Sequence, residues 1–292
     1  MRCAGFVVAL SLAFSAHGAT LRQGTLAFVA YVADNWELFA IDAGDAAPRR
    51  LTHTPVDERA PAISPDGHRI AYATSDGALW IIDSSGGEPS PLELPKGIYG
   101  FPAWLPDGSG IVYTSYEYHP PQEDADLYLY RFATHHSELL VLQTGPQDYA
   151  AVSPNGDRIA YISSVATTLP GFGSTITQQL WTASLRTGAP ALLIGDARVT
   201  APAWSRDGHA IAFSSDRGGT TEIWILRDGA AAPEQITSGP GGKFSPSWSP
   251  DGRELVYVSG AALEIINVRT KSVRRLPLFG SGAIEIRDVD WR

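Results

Sequence analysis

The residues that could carry chemistry in this chain are few, and their spacing argues against most reactions. Beyond residue 19 there are six histidines: His53, His68, His119, His135, His136 and His209. His135 and His136 are adjacent, and adjacent residues on a strand point to opposite faces, so the pair cannot chelate one ion. His68 and His209 each follow an Asp-Gly pair, a turn position facing solvent. A metal site would have to combine His119 with Glu123, Asp124 or Asp126, and neither a metal nor a cofactor is expected. The single cysteine, Cys3, lies near the N-terminus and supplies no nucleophile to a folded domain. There is no G-x-S-x-G elbow, no H-E-x-x-H, and no phosphate-binding loop, since GGKFS at Gly241 lacks the spacing. No catalytic residue is assigned.

What the sequence does repeat is a scaffold. PAWSRDGHAIAF, from Pro202, recurs as PAISPDGHRIAY from Pro61, PAWLPDGSGIVY from Pro102, AAVSPNGDRIAY from Ala150 and PSWSPDGRELVY from Pro246. The turn residues Asp66, Asp107, Asn155, Asp207 and Asp251 are 41, 48, 52 and 44 positions apart, a period at which one repeat is one blade of a β-propeller. Each unit reads as a strand, a tight turn in which Gly takes positive φ, a second apolar strand, a third marked by pairs such as Leu79-Trp80 or Ile223-Trp224, and a short fourth. The five turn residues are expected to be structural rather than calcium ligands, since each stands alone in its blade. LAFVAYVADNWELFAID, from Leu26, supplies a second and third strand without a first, and VDWR, from Val289, a first strand with nothing after it. Trp291 lies one period beyond Trp248. The fold class is therefore all-β: a six-bladed β-propeller of four-stranded antiparallel blades, closed by the C-terminal strand joining the N-terminal blade. Seven of the eight tryptophans fall on repeat positions and are expected to pack between blades, while Trp36 falls in the link between second and third strands.

Composition fits this reading. Of 292 residues 44% are hydrophobic and 18% charged, and 29 glycines with 21 prolines suit many short strands. A net charge of −9 disfavours nucleic acid and anionic membrane surfaces. Residues 1–19 combine Arg2, an apolar run from Ala4 to Phe14 and small residues to Ala19, the pattern of a secretory signal peptide. Residues 20–292 are expected to form one propeller domain, monomeric and located in the periplasm or secreted.

The repeated P-x-W-S-P-D-G followed by an Ile-Ala-Tyr-like strand resembles the repeat of the TolB propeller family of the Tol-Pal system, from Leu26 to Arg292. The α/β domain preceding that family's propeller has no expected counterpart between Ala19 and Leu26, so its contact with TolA is not implied. What the resemblance implies is a non-catalytic module that binds an envelope protein or peptide, a peptidoglycan-associated lipoprotein among them. The same repeat accompanies dipeptidyl-peptidase-like hydrolases, so an accessory propeller for a separate hydrolase is one alternative. A lyase or hydrolase of sugars or lactones, working at the channel mouth, is the other.

With the Asp-Gly turns on the bottom, the links from fourth to first and from second to third strands share the top. Two insertions fall there, from Tyr116 to Asp126 and from Ser164 to Gln179. The expected partner-binding residues are Trp36, Tyr99, Phe101, Tyr116, Tyr118, His119, Tyr149, Phe172 and Phe244. Mixed charge beside them comes from Glu58, Arg59, Asp148, Lys243, Arg287 and Asp288, a combination suited to a protein or peptide surface.

Overall fold

The Asp-Gly turns are locked by side chains. Asp66 Oδ1 accepts from Ser64 Oγ at 2.5 Å and from His68 N at 3.0 Å, while Ser64 Oγ accepts from Arg69 N at 2.9 Å. The same bonds recur at Asp207 with Ser205 and Ala210, and at Asp251 with Ser249 and Glu254. Asn155 does the same with Ser153. Leu105 has no hydroxyl, and Asp107 takes Ser109 instead. One carboxylate thus satisfies the backbone of a turn whose glycine lies at φ 69–78°.

Between these turns the apolar strands pair as antiparallel hairpins. The computed structural model describes residues 20–116, 125–169, 173–279 and 284–292, and in them there are six four-stranded sheets and no helix. The sheets are the blades of a propeller ring. Blade 1 pairs Ile286–Trp291 with Thr25–Val32, followed by Asn35–Asp42 and Arg49–Arg50. Leu26 faces Trp291 and Phe28 faces Val289, so the closing strand comes from the far end of the chain. The innermost strands of blades 2 to 6 are Glu58–Ile63, Tyr99–Trp104, Gln147–Val152, Val199–Trp204 and Lys243–Trp248.

The inner-strand tryptophans pin blade to blade. Trp104 Nε1 donates to Ala62 O at 2.9 Å, Trp204 Nε1 to Ala151 O at 3.1 Å and Trp248 Nε1 to Ala203 O at 3.1 Å, each reaching the preceding blade. Their rings are buried, so each pin combines a large apolar area with a satisfied N–H. Arg69 lies 4.6 Å over the Trp104 ring and Arg158 4.9 Å over that of Trp204, covering the outer edges. Trp291, fully buried, bonds instead to Gln23 O, tying the closing strand to the segment that enters blade 1.

Two local expectations need correction. Trp36 is not in a loop: Ala33 and Asp34 alone make the turn, at φ 54° and 65°, and the strand resumes at Asn35, so Trp36 pairs opposite Tyr31. The Ser164 to Gln179 insertion is no loose loop either. Strands Arg158–Leu169 and Gly173–Ser184 stay in register to Leu169 opposite Gly173, extending blade 4 as a two-stranded arm.

Ring closure sets a measurable expectation. Trp291→Ala removes a fully buried ring and should cost about 3–5 kcal/mol, whereas Phe244→Ala, 45% exposed, should cost about 0.5 kcal/mol or less. Thermal melting of both variants tests this: equal melting temperatures would mean that the closing strand carries no special share of stability.

Candidate functional site

Every inner strand breaks its ladder at the same place. Register shifts fall between Arg59 and Ala62, Gly100 and Ala103, Asp148 and Ala151, Thr200 and Ala203, and Phe244 and Ser247, with a matching one in blade 1. At each bulge one non-glycine residue takes the left-handed conformation: Ala60, Phe101, Tyr149, Ala201, Ser245 and Asp288, all at φ 48–52°. A proline follows four of them, Pro61, Pro102, Pro202 and Pro246, where the bulge leaves no ladder bond to donate. Left-handed φ costs an L-residue about 1–2 kcal/mol, so a sixfold repetition of it is held by the ring around it.

These six side chains line one end of a central cavity of about 420 Å³. Its wall is unequal. The Phe101 and Tyr149 rings pack tilted at 33° with centroids 3.8 Å apart, and burial pushes the Tyr149 phenol up to about 12, with Asp288 and Asp148 adding to the shift. Asp288 lines the cavity, with Oδ2 accepting from Ala60 N at 3.0 Å. Further in, Asp290 spends both oxygens, on Ile63 N at 2.8 Å and on Ser247 Oγ and Trp291 N at 2.9 Å. At the other end stands Arg206, where the other four repeats have proline. It donates to the carbonyls of Trp248, Ser249 and Trp291, and burial holds it down to about 10.

Around the mouth sits a rim of stacked and buried groups. The Arg287 guanidinium lies 4.1 Å over the Trp36 ring and donates to Glu58 O at 2.8 Å; Tyr31 packs against the same indole at 5.4 Å. Tyr116 lies against Gly100, where a Cβ would come within 3.3 Å of its ring, so Gly100 leaves the space that the tyrosine fills. Asp148 beside it is pushed up to about 7 by burial. Glu58 is fully buried between blades 1 and 2. Thr52 Oγ1 accepts from Leu38 N at 2.9 Å and lies 2.8 Å from Glu37 Oε2 and 3.0 Å from Glu58 Oε2. One hydroxyl proton cannot serve two carboxylates. Glu37 is paired with Arg50 at 2.6 Å and Glu58 Oε1 accepts from Thr54 Oγ1 at 2.6 Å, while burial, with the Glu37 charge adding to it, pushes the Glu58 carboxyl up to about 7.

Of the residues singled out from sequence, Phe101 and Tyr149 line the cavity, and Trp36 and Tyr116 stand on the rim. Phe244 is exposed one residue before the bulge of blade 6. Tyr99 is buried, its hydroxyl donating to Pro95 O at 2.9 Å and its ring set edge-on to Tyr113, so it builds the core rather than the surface. Tyr118, His119 and Phe172 lie outside the described residues, as do the segment 1–19 and Glu123 and Asp124. Asp126 is buried. Among the described residues no three His, Cys, Asp or Glu gather around a common point. Missed from sequence were the bulge residues Ala60, Ala201 and Ser245, whose signal is the residue just before the repeated proline. The buried Glu-Thr pairing was missed too, although Glu37/Thr52 and Glu222/Thr237 recur at the same spacing, Thr237 Oγ1 donating to Glu222 at 2.6 Å.

Six four-stranded blades around a bulged channel define a six-bladed β-propeller, and comparison with known proteins gives its type. Residues 152–264 match the family model described as PD40, TolB beta propeller domain. The "Uncharacterized peptidase YuxL" of Bacillus subtilis (strain 168) is 35% identical over 136 residues, 46% of this chain and 20% of that protein. The "Tol-Pal system protein TolB" of Francisella tularensis subsp. mediasiatica (strain FSC147) is 33% identical over 89 residues, 28% of this chain and again 20% of the relative. The chain thus matches about a fifth of the length of either relative. Among solved structures, TolB from Acinetobacter baumannii superposes with a TM-score of 0.75 at 21% identity, covering 92% of this chain and 66% of that one. An oligogalacturonate lyase in complex with manganese superposes at 0.60 and 16% identity, covering 86% and 73%. The fold is a TolB-type six-bladed β-propeller.

The buried carboxyl gives a signed pH dependence. Because the folded protein raises Glu58 to about 7, its contribution is complete below the ordinary range and lost as pH rises through 7. Glu58→Gln should therefore melt above the parent at pH 8, with the difference shrinking by pH 5. A gap independent of pH would show that Glu58 does not titrate in the fold.

Proposed function

We propose that this chain is an exported, non-catalytic binding module whose top face, around the channel mouth, receives a protein or peptide of the cell envelope. The observation that carries the reading is the mouth itself. Six inner strands all adopt a left-handed bulge there, presenting the tilted Phe101–Tyr149 ring pair beside Trp36, Tyr116 and Phe244, with charges of both signs between them. Aromatic groups fixed on a rigid frame and flanked by arginine are what protein interfaces enrich. The two carboxyls pushed toward neutrality at this end, Glu58 and Asp148, are both off the cavity wall, which argues against a proton-transfer centre in the channel. The likeness to Tol-Pal system protein TolB supports an envelope setting and makes a peptidoglycan-associated lipoprotein the first partner to try. No helix among the described residues is long and apolar enough to cross a membrane.

The test is affinity capture from envelope extract with residues 20–292, alongside a direct binding assay with the peptidoglycan-associated lipoprotein of the same host. Truncating a buried interface aromatic commonly costs about 2 kcal/mol or more, so Trp36→Ala, Tyr149→Ala and Phe244→Ala should each weaken capture at least severalfold. If those three bind as the parent does, while changes at the Asp-Gly turns weaken binding, the partner sits on the opposite face.

A further inference from the structure

We propose that the channel mouth receives one basic side chain, lysine or arginine, from the bound partner, held between the Asp288 carboxylate and the Phe101–Tyr149 ring pair. This deepens the proposed function and rests on it only for the identity of the partner. Three observations carry it. Asp288 is the bulge residue of blade 1, so its carboxylate stands among the six side chains that ring the cavity end. Its orientation is fixed, because Oδ2 accepts from Ala60 N at 3.0 Å, while Oδ1 accepts no hydrogen bond from the described residues. The two aromatic rings line the same cavity, and Asp288 is near enough to Tyr149 to add to the burial that pushes its phenol up.

A carboxylate facing aromatic rings at the entrance to a partly desolvated cavity is attractive to a cation twice, through the ion pair and through the ring faces. Among the described residues the Arg287 guanidinium already feels the charge of Asp288, but no ion pair joins the two. Arg287 is stacked on Trp36, Arg59 Nη2 donates to Thr74 O at 3.2 Å, and Arg198 Nε donates to Gln178 Oε1 at 2.7 Å; none of them lines the cavity. Deeper in, Asp290 is fully spent, and Arg206 at the far end gives its protons to backbone carbonyls. Arg292 lines the cavity beside Arg206, so among the described residues the wall carries the Asp288 carboxylate at the mouth and arginines at the other end. The overall charge of −9 acts in the same sense, drawing a basic partner by long-range attraction.

The probes are four blocked tripeptides, Ac-Gly-X-Gly-NH2 with X as lysine, arginine, norleucine or glutamate, titrated into residues 20–292 and followed by backbone amide NMR shifts. The lysine and arginine peptides should shift the amides of Ala60, Phe101, Tyr149 and Asp288, and the norleucine and glutamate peptides should not. Asp288→Asn retains an oxygen for Ala60 N and tolerates left-handed φ; it should melt near the parent and bind the basic peptides at least about tenfold more weakly. Tyr149→Leu should weaken them about threefold to tenfold. Equal binding of the norleucine peptide, a preference for the glutamate peptide, or unchanged affinity in Asp288→Asn would overturn the proposal. If a captured partner still depends on Trp36 and Tyr149 but binds Asp288→Asn as it binds the parent, the basic-residue inference falls and the binding-module reading stands. If the peptides bind as described and capture retains no partner, the reverse holds.

Discussion

Everything in this molecule depends on pairing the first strand with the last. A sheet edge left open in blade 1 would expose a row of unpaired backbone groups, and it would leave the ring free to spread. Pairing Leu26 to Ala30 with Ile286 to Trp291 removes that edge and fixes where each of the other inner strands must stand. The tryptophan pins then tie blade 3 to blade 2, blade 5 to blade 4 and blade 6 to blade 5. Arg206 adds a longer clasp: it sits in blade 5, spans blade 6 and ends on the carbonyl of Trp291 in blade 1.

The mouth follows from the same constraint. Six strands converging on one axis cannot all continue as flat ladders, and each releases the strain through a bulge at the same residue. The result is a ring of side chains aimed at the axis, whose identities vary while the backbone does not. Small residues at Ala60, Ala201 and Ser245 leave room, aromatic residues at Phe101 and Tyr149 supply one wall, and Asp288 supplies charge. The bulge geometry is the same whichever of these side chains it carries.

The fold was readable in the sequence because its signals are local and repeated. Asp-Gly turns, alternating apolar strands and tryptophans at one period specify blades, and the lone VDWR at the end specifies closure. The site was only partly readable. Phe101 and Tyr149 precede or occupy repeat positions and could be placed on the mouth, but nothing in the spacing separates them from Tyr99, two residues earlier and buried between blades. The distinction arises from the bulge, which reverses the direction of one residue and is invisible to a two-residue period. Arg206 was not singled out, because a contact made 85 residues away leaves no local trace. Trp36 looked like a loop residue because a two-residue turn of Ala33 and Asp34, both at positive φ, lacks the glycine that usually marks it.

The central claim is that this propeller binds through its channel mouth. The most direct measurement is hydrogen exchange across residues 20–292, with and without the captured envelope partner. The account predicts new protection at the strand segments around Ala60, Phe101, Tyr149, Ser245 and Asp288 and in the Trp36 hairpin, with the Asp-Gly turns exchanging as before. Protection confined to those turns, or to the outer strands of the blades, would contradict it.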